Sequence, residues 1–187
     1  MRMRLLTAIL ALGLGTCPVA LPGQAQSQPQ SAPMGSMGGT GMDHPVAKLP
    51  AGTLKITFGG KSEEWTAATL AALPHTTLTV YNTHAKANQI YTGVPLIELL
   101  TRLGVPGKPH GSDLRLFLVA EGADGYKAVY SVAEANPDLH DGTVIVADTM
   151  DGKGLADNGT FQLVATGEKR PARWVRNLVG ITVLTAE

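Results

Sequence analysis

The chain has 187 residues, 44% of them hydrophobic, with 15 basic and 15 acidic side chains. That length supports one sizeable core, and the balanced charge excludes the basic footprint of a nucleic-acid binder. Cys17 is the only cysteine, which excludes a disulfide framework and a cysteine-based zinc site.

Residues 1–25 read as an address. Arg2 and Arg4 make a positive start, residues 5–14 hold eight Leu, Ile and Ala among ten, and small residues end at Gly23-Gln24-Ala25. This is the pattern of a secretory signal peptide cleaved after Ala25, and the apolar run falls short of the ~20 residues a membrane span needs. Thr16 and Pro18 around Cys17 argue against a lipoprotein signal. The chain after cleavage is expected to be periplasmic or secreted, without an integral membrane segment. It carries 13 basic and 15 acidic groups, a net of −2. Residues 26–49, rich in Gln, Ser, Pro, Gly and Met, bury too little apolar surface to order themselves and predict a flexible linker. Met34, Met37, Met42 and His44 within it are soft ligands of the kind that hold Cu(I), although nothing fixes their spacing.

From residue 50 short apolar segments alternate with turn signals, and residues 50–187 predict a single domain. Thr53–Phe58 alternates as a strand and Gly59-Gly60 follows as a hairpin turn. Residues 66–73 form a helix behind a Thr cap, stopped by Pro74. Residues 76–83 alternate again. Residues 94–103 predict a helix with Pro in its first turn and a Leu-rich face, ended by Gly104. Residues 114–120, 143–147, 161–165 and 178–184 are strand candidates, and residues 131–136 a capped helical turn. Strands and short helices are mixed without regular βαβ alternation, so the expected class is α+β, mostly strands.

Three segments carry further information. Tyr91-Thr92-Gly93-Val94-Pro95-Leu96-Ile97-Glu98-Leu99-Leu100 comes first, then Ala123-Asp124-Gly125-Tyr126, then Lys169-Arg170-Pro171-Ala172-Arg173-Trp174-Val175-Arg176-Asn177-Leu178. In this order they resemble the sulfite-oxidase-type molybdopterin-binding domain, and more closely the small exported proteins with a reduced version of it, over residues 53–185. Taken alone, Leu96, Leu99 and Leu100 also read as core, and Asp124-Gly125 as a hairpin turn. Lys169, Arg170, Arg173 and Arg176 put four positive charges within eight residues, fit either for an anion clamp or for a solvated loop. The resemblance implies that Asn82, Thr83, Tyr126, Arg173 and Arg176 contact a cofactor, with molybdopterin as the group it suggests. Pro171 predicts a turn or short helix over residues 172–176, which places Arg173 and Arg176 on one side, facing Asn82, Thr83 and His84.

The sequence departs from the family at one decisive place. Family enzymes ligate molybdenum through a cysteine thiolate shortly before the aromatic-Gly-Val-Pro-Leu segment. Here that stretch is Thr79-Val80-Tyr81-Asn82-Thr83-His84-Ala85-Lys86. His84 is the one candidate metal ligand in it, as imidazole suits Zn, Cu, Fe and Ni. No Gly-rich phosphate loop, Gly-x-Ser-x-Gly elbow or His-Glu-x-x-His helix occurs, and the Gly-rich loop 149–159 lacks calcium-loop spacing. The leading expectation is a non-catalytic or cofactor-poor binding module for a small anion or a pterin. A small molybdopterin- or metal-dependent oxidoreductase is the alternative, and a copper-handling protein using the Met-rich tail is the third.

Overall fold

Glycine at the right places closes the first hairpin. In the computed structural model, which describes residues 52–83 and 86–187, Gly59 and Gly60 both have positive φ (55° and 79°). Two consecutive positive-φ residues give the turn whose twist matches paired strands. The turn joins β1 (Thr53–Phe58) to β2 (Lys61–Thr66). The capping box of Thr66 and Thr69 then starts α1 (Ala67–Ala71), which buries Leu70.

Two five-stranded sheets follow. β3 (Thr76–Asn82) and β4 (Ala87–Pro95) are antiparallel partners, and β4 leads directly into α2 (Leu96–Arg102). After a 3₁₀ turn at Gly111–Arg115 come β5 (Leu116–Gly122) and β6 (Lys127–Ser131), joined at Asp124-Gly125. Ser131 caps the 3₁₀ turn Val132–Ala135, with Glu134 reaching back to the Ser131 N–H. β7 (Val144–Met150), the short β8 (Lys153–Gly154) and β9 (Gln162–Ala165) complete the second sheet, in which β7 pairs with β4, β8 and β9. The last strand, β10 (Leu178–Thr185), enters the middle of the first sheet, parallel to β1 and antiparallel to β5.

The main core lies against the buried positions of both sheets and includes Ile56, Leu70, Leu96, Leu100, Leu118, Val146, Leu163 and Ile181. β7 is buried on both faces. Val144 and Val146 join that core, while Ile145 and Ala147 join a second cluster with Tyr91, Leu155 and Val164. Trp174 packs against both clusters. Gly93 permits the close passage of β4 over β7 at the β-bulge after Thr92.

The expected class, α+β and mostly strands in one domain, is the one observed. Several boundaries differ. Val94 and Pro95 finish β4 rather than begin the helix, because both still pair with β7, at Val146 and Ile145. Leu114 and Arg115 belong to the 3₁₀ turn, and the strand begins at Leu116. The loop 149–159 contains β8 and a 3₁₀ turn at Ala156–Asn158. The signal segment, the linker with its methionines and His44, and His84 lie outside the described residues. Among the described residues no helix is long and apolar enough to cross a membrane.

Candidate functional site

The second sheet and the segment after β9 enclose a cleft of about 420 Å³, within the range of small-molecule sites. β3 contributes Thr79, Val80, Tyr81 and Asn82, β4 contributes Gln89 and Tyr91, and β9 contributes Gln162 and Ala165. Residues 166–171, Trp174 and Arg176 form the opposite wall.

That wall is held by local hydrogen bonds. Gly167 takes a positive φ of 83°, turning the chain away from β9. The Trp174 indole N–H donates to the Ala165 carbonyl at 2.9 Å, and its ring meets Tyr91 edge-on at 5.5 Å. Val175 and Leu163 exchange two backbone hydrogen bonds, of 3.2 and 2.9 Å, which fasten the returning chain to β9. Asn177, at a φ of 47°, donates its N–H to the Asn158 carbonyl at 2.6 Å and turns the chain into β10. Arg176 is thereby held between two anchored neighbours.

Charge is concentrated on this side. Lys169, Arg170 and Arg176 are exposed, line the cleft, and form no ion pair among the described residues. Glu168 is the one carboxylate in the wall, and it is already paired with Arg173. On the opposite wall the Asn82 side-chain amide donates to Gln89 Oε1 at 2.7 Å, and the Tyr91 hydroxyl donates to the same oxygen at 3.3 Å. Burial pushes the Tyr91 hydroxyl above its ordinary pKa, against a lowering influence from the nearby Arg176.

The two arginines expected to act together are separated. Arg173 turns away from the cleft, and its Nη2 lies 2.9 Å from Glu134 Oε1 and 2.7 Å from Glu168 Oε1. Its Nη1 donates to the Val129 carbonyl at 3.2 Å, and its guanidinium stacks over Tyr130 at 4.4 Å. Burial alone would raise the Glu134 carboxyl, but hydrogen bonds from Arg173 and the Ser131 N–H outweigh it and hold the group below its ordinary range. The physical reason for the separation is that the 3₁₀ turn covers only Pro171–Arg173. Val175 is already bridged to Leu163, so Arg173 and Arg176 do not share a helical turn.

Of the other expected site residues, Asn82 and Thr83 line the cleft together with Arg176. Tyr126 does not line it. Its hydroxyl donates to the Ala172 carbonyl and so ties the 3₁₀ turn to the first sheet. Lys169 and Arg170 belong to the cleft wall, and sequence reasoning noticed their charge without assigning them to the site. Gln89 and Gln162 were missed, and Tyr91 and Trp174, though part of the family-like segments, were not assigned to the site. Gln162 did leave a signal, being the polar residue in an otherwise apolar strand. Among the described residues no group of three or more His, Asp or Glu side chains is placed to hold a metal ion.

No protein-family model and no curated protein matches the chain. Among solved structures, the sulfane dehydrogenase SoxCD from Paracoccus pantotrophus is similar in fold, with a TM-score of 0.54 and 24% sequence identity over 70% of this chain. The match covers 37% of the SoxCD chain, so this protein spans little more than a third of that relative's length.

Proposed function

We propose that this is an exported binding module that holds a small organic anion in the cleft beside the second sheet. The observation that carries the reading is the set of three cations, Lys169, Arg170 and Arg176, around one cleft without carboxylate partners among the described residues. Such a grouping is self-repulsive when empty and relieved by an anion, and guanidinium groups bind phosphate or carboxylate through charge-assisted hydrogen bonds. The signal-like residues 1–25 support export, and the shared fold with a dehydrogenase supports descent from an oxidoreductase-type domain.

The donor set bears on the cofactor that the fold suggests. The basic wall suits the phosphate of a pterin. The molybdenum centre does not fit, because residues 52–187 contain no cysteine to supply the soft thiolate. Oxygen and amide groups of Thr79, Asn82 and Thr83 are hard ligands and no substitute for it. The chemistry assigned to the chain's own residues is therefore recognition: Arg170, Arg176 and Lys169 hold the anion, Trp174 and Tyr91 shape the apolar part of the cleft, and Gln89 orders Asn82 and Tyr91.

Titration with phenyl phosphate by isothermal calorimetry tests this. Saturable one-to-one binding is expected, weakened about tenfold or more in Arg176→Ala and in Arg170→Ala, since each removes a hydrogen bond to a charged group worth roughly 1.5–3 kcal/mol. Absence of saturable binding at millimolar ligand, or binding by both variants as tight as that of the native protein, contradicts the proposal.

A further inference from the structure

β9 is buried at all four positions, and Gln162 is its one polar side chain. Gln162 is 2% exposed and lines the cleft, yet its Oε1 has no hydrogen-bond partner among the described residues. A buried amide oxygen without a donor carries an unrecovered desolvation cost, so native structures nearly always supply it with a partner. Its β-ladder partner is Ala147, and the Trp174 indole N–H, also at the cleft, is already given to the Ala165 carbonyl. Gln162 lines the cleft, from which a donor can be supplied.

The cleft also has a direction. Its cations are exposed and mark the mouth, whereas Gln162 is buried and marks the inner end. The cleft lining also includes the apolar surfaces of Val80, Met150 and Trp174. An inorganic oxyanion would occupy only a small part of about 420 Å³.

We infer that Gln162 is a specificity-determining residue: it accepts a hydrogen bond from an N–H or O–H group at the inner end of an organic anion whose charged end rests on Arg170, Arg176 and Lys169. The ligand class is a flat or cyclic organic anion, with a phosphate or carboxylate at one end and a hydrogen-bond donor at the other. This rests on the anion-binding reading given above and adds the second recognition point.

Calorimetric titration of the native protein with phenyl phosphate and with its 3- and 4-hydroxy derivatives separates the two claims. The three probes share one anionic group, and only the derivatives carry a distal donor. At least one hydroxyphenyl phosphate is expected to bind about tenfold tighter than phenyl phosphate, a difference of about 1.4 kcal/mol. In Gln162→Met, which keeps length and removes the acceptor, that advantage should vanish while phenyl phosphate affinity is retained; a thermal melt establishes that the variant is folded. If the native protein binds all three equally, or the advantage persists in Gln162→Met, the role of Gln162 is overturned and the anion cleft stands. If none of the three binds, the anion-cleft reading itself falls. The native-protein comparison decides the matter even should the variant fail to fold.

Discussion

Gly93 shows how a single residue sets the spacing on which the cleft depends. A Cβ built there would lie 2.1 Å from the Val146 carbonyl oxygen and 2.4 Å from the Ala147 Cα, both of them backbone atoms that cannot step aside. Gly93→Ala is expected to destabilise the fold by about 3 kcal/mol or more, at the upper end of overpacking costs because the clash is with main chain. Urea unfolding checks this, with a lowered midpoint as the expected result and an unchanged one as the contrary result. Arg173 and Arg176 show the opposite lesson, that identical side chains three residues apart can serve different ends. Arg173 is committed to Glu134, Glu168, Val129 and Tyr130. Its contribution is to hold the 166–171 segment in place, and it fades in acid as the Glu134 carboxyl, held below its ordinary value, finally takes a proton. Arg176 has no such commitment among the described residues and lines the cleft.

At the scale of elements, the turn before β3 is tied to β7 by one polar contact. The His75 Nδ1–H donates to the Leu73 carbonyl at 2.7 Å, and Nε2 lies 2.9 Å from Asp148 Oδ2. A carbonyl and a carboxylate both accept, so this geometry is satisfied in full when both ring nitrogens carry protons. Burial alone would lower the His75 pKa; the Asp148 hydrogen bond, the Leu73 carbonyl and the Asp148 charge outweigh it and raise the pKa above its ordinary value. A raised pKa means that the folded state holds the proton more tightly than the unfolded chain. The contact therefore stabilises fully below the ordinary histidine pKa, about 6.5, and the contribution is lost as pH rises through the folded-state value. His75→Gln should cost more stability at about pH 5.5 than at about pH 8.5, with a difference of up to about 1 kcal/mol for a partly exposed pair. Denaturant unfolding at the two pH values measures it, and a loss independent of pH would contradict the assignment.

The same scale explains what could be read from the sequence. β1, α1, the Ser131 cap and the Asp124-Gly125 hairpin are encoded locally, by alternation, capping hydroxyls and turn residues. β2 escaped notice because Lys61–Thr66 is a charged edge strand with one buried residue, Trp65. β4 escaped because Ala87–Pro95 mixes polar and apolar residues, and only pairing with β3 and β7 makes it a strand. The cleft was legible in part: basic residues near the end of the chain and Asn82 and Thr83 do meet across it. The divergence of Arg173 was not, since it depends on Glu134, brought from 39 residues away by folding.

Folding joins distant parts of the chain to make one cleft. β10, the last strand, sits between β1 and β5, so the first sheet closes only when both ends of the domain are present. Non-local closure of this kind is slow to form and cooperative once formed. The anchored corner Trp174–Val175–Asn177 leads into β10, which makes the position of Arg176 a consequence of the completed sheet. The proposed anion recognition would thus be a property of the assembled domain, and the two tryptophans offer a direct view of it. Trp174 lines the cleft, whereas Trp65 lies on the first sheet under Arg102 and does not line it. Two-dimensional nitrogen–proton NMR resolves one indole signal from each. On titration with phenyl phosphate the account predicts that the Trp174 indole signal shifts saturably while that of Trp65 stays in place. If the Trp174 signal does not move, or both signals drift together without saturation, the cleft is not the anion site.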